Sequence, residues 1–452
     1  MTGALRWPAR DDFRTVVSLA VPVVAVQVGL SAMGLIDTLM VGRVSAPDLA
    51  AVALGNLFFF MVAVFGMGLL MGLDPLVSQA VGAQDPTGAA IAMQRGVVLA
   101  VALTFLAGAG LLLAEPAFRL AAQPDEVIPI AVRYALWSIP GVLPFYLFVV
   151  LRQSLQAMSR VAPIVWTIIG ANLLNVALNW VLIWGNLGAP RLGAVGSSIA
   201  SSISRWGLVV LLVAMAWPLL KPYLQPIRPG ILRLRALVGM VRLGAPIGAQ
   251  LQLEFGAFAM VGVAMGWLGT ESMAGHQVAL TLAAFAFMVP VGVAAAAAVH
   301  VGHGVGGERL ELARRSASAS LLLGLGFMAT TALLFLVFPR ALSGLFTVDP
   351  GTLVIAAALL PIAGVFQIFD GLQAVSAGIL RGVGDTRVPM LANALGFWIL
   401  GIPLGLLLAF PLSMGAEGLW WGLAIGLAIV SILLLLRVRN QLGKELRRVE
   451  VE

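Results

Sequence analysis

Cysteine is absent from the 452-residue sequence, which excludes disulfides, thiolate metal sites and cysteine nucleophiles. Charge is scarce too, with Asp, Glu, Lys and Arg together only 10% of residues against 60% hydrophobic. A chain so poor in charge cannot cover a soluble fold with a polar surface. There is no GxxxxGK[ST] phosphate loop, so the chain itself is not expected to hydrolyse ATP. The glycine-rich stretch from Gly302 to Gly307 follows an apolar run rather than a strand, which argues against a dinucleotide loop. His300 and His303 stand one helical turn apart with no third ligand nearby, and they read as helix-end residues rather than a metal site. The opening MTGALRWPARDD is not followed by a short apolar core with a small-residue cleavage site, so the first helix is expected to remain in place.

What the sequence does have is long apolar runs. Twelve occur, near 14–41, 50–80, 91–113, 129–151, 163–186, 193–216, 240–268, 277–299, 316–338, 352–378, 388–410 and 416–436. Each is long enough for a helix of roughly 30 Å, the thickness of a bilayer core. Continuous apolarity, rather than short alternating strands, points to helices and not to a membrane β-barrel. With residues near helix ends given to the nearer loop, 22 of the 27 Lys and Arg fall at the termini and even-numbered loops, Arg205 among them, against five on the other side. The positive-inside rule then places both termini in the cytoplasm, and the expected location is the inner membrane. The basic excess is therefore a topology signal, and nucleic acid is not an expected partner.

An internal repeat appears at a shift of 224 residues, where Leu19-Ala20-Val21-Pro22 meets Leu243-Gly244-Ala245-Pro246 and Val81-Gly82-Ala83 meets Val305-Gly306-Gly307. Six helices return a chain to its starting side, so the two halves form a parallel repeat. The expected fold class is an all-α polytopic membrane protein of twelve transmembrane helices in two six-helix lobes, 1–220 and 221–452. A proline-rich, basic cytoplasmic linker joins them at 217–238.

Three acids lie inside apolar runs without a Lys or Arg within five residues in the same run: Asp37, Glu254 and Asp370. An acid in hydrocarbon must be protonated, hold a cation or face a water-filled cavity, so it marks a candidate ion pathway. Gln250 sits one turn before Glu254, and Gln367 and Gln373 flank Asp370 on its helix face. Asn172, Asn175 and Asn179 form a similar stripe in the fifth run, equally suited to cavity lining and to interhelical hydrogen bonds. Such amides can orient a carboxylate or offer oxygens to a hard cation.

Specific motifs carry a resemblance. Pro22 with Asp37-Thr38-Leu39-Met40-Val41-Gly42, Leu49-Ala50-Ala51-Val52-Ala53-Leu54-Gly55 and Pro75-Leu76-Val77-Ser78-Gln79-Ala80-Val81-Gly82-Ala83 closely resemble the multidrug and toxic compound extrusion (MATE) transporters. So do Ala274-Gly275-His276-Gln277-Val278-Ala279-Leu280 and Leu380-Arg381-Gly382-Val383-Gly384-Asp385-Thr386-Arg387-Val388-Pro389, and the acid pair Glu254 and Asp370 is similar to the NorM-type branch.

The resemblance implies a V-shaped pair of lobes that exchange an external cation for internal, usually cationic, organic drugs by alternating access. It implies no enzyme activity and no cofactor, and the expected partners are drugs, the coupling cation and membrane lipids, with the chain a monomer. Glu254 and Asp370 match the carboxyl-lobe cation site, Asp37 the amino-lobe acid, and Asn175 and Asn179 the amino-lobe cavity. Gln250, Phe366, Gln367 and Gln373 are the further cavity candidates. Phe366 stands where sodium-coupled relatives have a tyrosine, which favours H+ over Na+ at Glu254 and Asp370. The alternative is a lipid-linked oligosaccharide flippase of related architecture. It would need several cavity Arg or Lys, whereas the basic residues are expected at loops and helix ends.

Overall fold

The computed structural model describes residues 5–450. Twelve helices among them are long and apolar enough to cross a membrane. They are α1 (Arg10–Val41), α2 (Ala46–Gly82), α3 (Pro86–Leu112), α4 (Ile128–Ala157), α5 (Ala162–Trp184), α6 (Gly193–Leu224), α7 (Leu234–Trp267), α8 (Thr270–Gly306), α9 (Leu310–Val337), α10 (Pro350–Gly382), α11 (Arg387–Ala409) and α12 (Gly415–Leu442). No strand occurs among the described residues, and the protein is a multi-pass, all-α membrane protein. Most helices run past the apolar stretches that announce them, because their polar ends go on making backbone hydrogen bonds where water is available.

Local chemistry sets several starts. Ser45 accepts the Asp48 N–H ahead of α2, Asp85 accepts from Gly88 ahead of α3, and Asp349 accepts from Thr352 ahead of α10, each followed at once or next but one by proline. These caps satisfy amides that the first helical turn leaves without an internal partner. The backbone and side-chain hydrogen bonds of Thr352 also hold the exposed Asp349 carboxyl below its ordinary range.

The contacts divide the chain into two compact units. One takes the chain up to Val24, Ser78–Gln84 and Ala249–Glu450; the other takes Ala25–Val77 and Asp85–Gly248. Each contains very close helix crossings built on small residues four apart, the spacing that lets membrane helices approach backbone to backbone. In the second unit a Cβ on Gly68 would lie 2.6 Å from the Gly248 Cα, and one on Gly72 would lie 2.9 Å from the Gly244 Cα, so α2 and α7 cross through Gly68, Gly72, Gly244 and Gly248. In the first unit Gly378 and Gly382 of α10 pass over Ala294 and Ala298 of α8 in the same way. At the end of that unit, Asp385 accepts from Arg437 Nε at 2.6 Å and Gln441 Nε2 at 2.8 Å, tying the α10–α11 turn to α12.

A break in α4 prepares the interior of the second unit. Around Pro140 the helix tightens at Ile139–Gly141, and α6 supplies side chains that bond to nearby carbonyls. Ser198 donates to Tyr134 O at 2.7 Å, Ser202 to Trp137 O at 2.8 Å and Trp206 Nε1 to Pro140 O at 3.1 Å. Their spacing of four places them on one face of α6, so this seam fixes the rotation of the helix that carries Ser201 and Arg205.

Arg205 corrects the loop assignment made from the sequence. It lies inside α6, not in a cytoplasmic loop, with its guanidinium carbon 3.9 Å from the centroid of the Phe59 ring. Hydropathy cannot register such a partner, because Phe59 is contributed by α2. Moving one residue leaves the asymmetry of basic residues intact, and of the interior arginines Arg152, near the end of α4, already donates to Gln27 Oε1 at 2.9 Å.

Two expectations follow. Gly68→Val, whose methyls must displace the α7 backbone, should lower the melting temperature in detergent by an overpacking cost of about 1–3 kcal/mol; an unchanged melting temperature would show that the crossing is not tight. In this cysteine-free chain, a cysteine at Val348 should react with a membrane-impermeant thiol reagent in intact cells and one at Leu232 should not, both positions being exposed. The reverse pattern would invert the topology.

Candidate functional site

Each unit encloses a polar network built around an interior acid. In the second unit it is a closed ring drawn from α1, α5 and α6. Asp37 accepts from Asn179 Nδ2 at 2.6 Å through Oδ1 and from the Ser201 hydroxyl at 2.5 Å through Oδ2. Asn179 Nδ2 also reaches Asn175 Oδ1 at 3.1 Å, and Asn175 Nδ2 closes the ring on Ser201 Oγ at 3.5 Å. All four residues are buried, Asn175 and Asn179 completely. Asp37 is therefore an interior acid, although it lies near the end of α1. Asn179 Oδ1 is enclosed without a hydrogen-bond donor, leaving one acceptor in the ring free. Asn172, the third member of the α5 stripe, instead straps α5 to α1 by donating to Gly29 O at 3.0 Å.

Beside the ring stands Arg205, within electrostatic range of both Asp37 and Tyr134. No ion pair joins it to Asp37, whose two oxygens point to Asn179 and Ser201. Its guanidinium rests on Phe59, with Phe145 further off at 5.8 Å, an arrangement typically worth about 0.5–2 kcal/mol.

In the first unit the network joins α7, α10 and α11. Glu254 Oε2 accepts from Asn393 Nδ2 at 3.2 Å and from Gln373 Nε2 at 3.4 Å, and Gln373 also reaches Asn393 Oδ1 at 3.4 Å. Asp370 is buried within electrostatic range of Glu254 and accepts no hydrogen bond among the described residues. No salt bridge joins either acid to a basic residue among them. Gln367, fully buried on the same helix, accepts from the Thr331 hydroxyl of α9 at 3.0 Å, and Gln250 is buried but makes no hydrogen bond to a described residue. Phe366 turns into an aromatic cluster, edge-on to Trp420 at 5.8 Å and to Phe258 at 6.0 Å. Trp420 is fixed in turn by its indole N–H, which donates to His276 Nδ1 at 3.1 Å.

Chemically, two neighbouring carboxylates with no basic partner suit a proton or a small cation held between them. The amides of Gln373 and Asn393 can steady the charged form of Glu254, while Asp370 keeps its full acceptor capacity. A π-helical turn over Ala394–Gly401 begins directly after Asn393. Such widened turns rotate the residues beside them and recur at functional sites.

Sequence reasoning singled out Asp37, Asn175 and Asn179, which the structure brings together, and Glu254, Asp370 and Gln373, which it also brings together. It missed Ser201 and Asn393. Asn393 carried a readable signal as an amide inside an apolar run; Ser201 was hidden among the serines of α6, which looked like packing residues.

Comparison with known proteins places this geometry. The MatE family model matches twice, over residues 22–181 and 246–407, two stretches that begin 224 residues apart, as the internal repeat does. The chain is 36% identical over 433 residues to the multidrug resistance protein NorM of Burkholderia vietnamiensis, covering 92% of this chain and 91% of that protein. It is 34% identical over 443 residues to the multidrug resistance protein MdtK of Edwardsiella ictaluri, covering 95% of each. Its fold is that of the eukaryotic MATE transporter AtDTX14, with a TM-score of 0.86 at 22% identity over 96% of this chain and 98% of the other. The bent form of the Vibrio cholerae MATE transporter VcmN gives 0.85 at 18% identity over 96% and 98%. With two matched repeats and relatives aligned over nearly its whole length, the chain belongs to the MatE family.

Proposed function

We propose that the protein is a multidrug efflux antiporter of the inner membrane, acting as a monomer with both termini in the cytoplasm. It exports organic, usually cationic, drugs by alternating access of the halves 1–220 and 221–452 in exchange for external protons. The observation that carries this reading is the pair of interior acids, half-buried Glu254 and buried Asp370, which has no basic partner among the described residues. The names of the NorM and MdtK relatives support drug export as its purpose.

The coupling follows from charge. A proton entering from outside neutralises one acid of the pair, and its release into the cytoplasm leaves the pair charged and open to a cationic drug. Each charge moved inward along the membrane potential contributes about 2.3 kcal/mol per 100 mV. Protons are favoured over sodium because the buried Phe366 offers no oxygen beside Asp370, and a hard cation needs several.

Glu254→Gln and Asp370→Asn keep shape and remove charge, and each should reduce dye export from cells at least about tenfold at wild-type expression. Asn393→Leu takes away a hydrogen bond to a carboxylate, normally worth about 1.5–3 kcal/mol, and should slow export about tenfold. Export at the wild-type rate in either acid variant would remove the site assignment. For the coupling ion, a pH gradient imposed on proteoliposomes without sodium should drive dye transport. A sodium gradient at equal pH, with the membrane potential clamped near zero, should not; robust transport there that Asp370→Asn abolishes would establish sodium instead.

A further inference from the structure

We propose that the linker between α6 and α7 binds the headgroup of an anionic phospholipid at the cytoplasmic surface of the bilayer. Arg228 and Arg233 meet the phosphate, while Ile227, Leu232 and Leu234 rest among the acyl chains. The proposal goes beyond the transport reading, and only the choice of leaflet depends on that reading's topology.

Side chains of α3 hold the linker in one shape. Gln94, buried on that helix, donates through Nε2 to Tyr223 O at 2.9 Å and to Pro226 O at 3.1 Å, and its Oε1 accepts the Arg228 N–H at 2.9 Å. Further along, Gly230 adopts φ +78°, a left-handed conformation that other residues rarely take. Its carbonyl accepts from the Arg233 N–H at 3.2 Å and from Arg95 Nη2 at 3.3 Å. A Cβ at Gly230 would stand 2.9 Å from Arg233 Nε, so the Arg233 side chain folds back over this turn. Arg228 and Arg233 thus flank one ordered turn.

The chain supplies no acid to balance them. No Asp or Glu occurs between Glu126 and Glu254. The acids that this unit carries toward the same face are committed elsewhere, Asp74 to Gln153 Nε2 and Asp85 to the Gly88 N–H, each at 2.8 Å. Neither Arg228 nor Arg233 forms an ion pair among the described residues, and Arg228 Nε is enclosed without a hydrogen-bond partner. Arg95 stands within electrostatic range of Arg233 and adds to the positive excess. A guanidinium presents a planar fork matched to phosphate, so charge complementarity names an anion. The apolar residues name its source. Ile227, Leu232 and Leu234 are 76%, 70% and 75% exposed, and they are interleaved with Arg228, Arg233 and Arg235. Basic and apolar side chains mixed on one exposed segment suit the boundary between headgroups and acyl chains, whereas a free phosphate would make no use of the apolar ones.

The test uses the purified full-length protein in neutral detergent. Phosphatidylglycerol and phosphatidylcholine with identical acyl chains are offered at equal concentration, and retained lipid is counted by native mass spectrometry. Phosphatidylglycerol should be favoured about tenfold, with the preference shrinking as salt rises. Arg228→Gln and Arg233→Gln should each lower phosphatidylglycerol affinity about fivefold, the usual worth of one basic residue at an anionic surface, and leave phosphatidylcholine unchanged. Arg340→Gln, which removes the same charge from an exposed position at the opposite face, should change neither. Equal retention of the two lipids by the wild-type protein overturns the proposal, and so does an equal loss in Arg340→Gln, which would reduce the effect to overall charge. Excess inorganic phosphate at matched ionic strength should not displace the lipid; displacement would mean a simple anion site and overturn the lipid assignment. Should Arg228→Gln not fold, the exposed Arg233 still decides. Because retention is read without an ion gradient, an intact lipid preference in a protein that shows no gradient-driven transport would fault the antiport reading and leave this site standing.

Discussion

A bilayer offers no water to a stranded polar group, and this constraint shapes the whole structure. Every amide, hydroxyl and carboxyl inside the helices must find its partner in the protein or carry an unmet charge. The break in α4 is tolerated because α6 brings Ser198, Ser202 and Trp206 to the neighbouring carbonyls. Asp37 is tolerated because α5 and α6 bring Asn179 and Ser201. The same pressure toward backbone contact explains the glycine crossing of α2 with α7, since helices in lipid associate through packing and hydrogen bonds rather than exclusion of water.

Against that background the groups left without partners carry the functional information. The ring around Asp37 is tight, with bonds of 2.5 and 2.6 Å to the carboxylate. The contacts of Glu254 are longer, 3.2 and 3.4 Å, and Asp370 has none among the described residues. Short bonds commit the Asp37 carboxyl to its protein partners, whereas longer ones leave Glu254 acceptor capacity for an incoming cation. The contrast fits the proposal that ion exchange takes place at Glu254 and Asp370.

Much of the fold was legible because a membrane helix announces itself by composition over some twenty residues, and the interior acids were legible because they interrupt that composition. Asn175 and Asn179 could be read as a stripe because residues four apart share a helix face. What escaped was contributed by other helices. Asn393 reaches Glu254 from a helix with no acid of its own, and Ser201 donates to Asp37 from a run of serines that resembles ordinary small-residue packing. Arg205 was assigned to a loop because hydropathy scores a charge alone and not the Phe59 ring beneath it. The aromatic packing of Phe366 against Trp420 and Phe258 likewise depends on partners distant in sequence.

The central claim is that a proton and a cationic drug compete for the charge at Glu254 and Asp370. It is tested most directly by counting protons released when drug binds to the purified transporter in weakly buffered, sodium-free detergent solution. The account predicts proton release on drug binding that disappears in Asp370→Asn. Drug binding that releases no proton, with an affinity unchanged across the pH range where the protein is active, would contradict it.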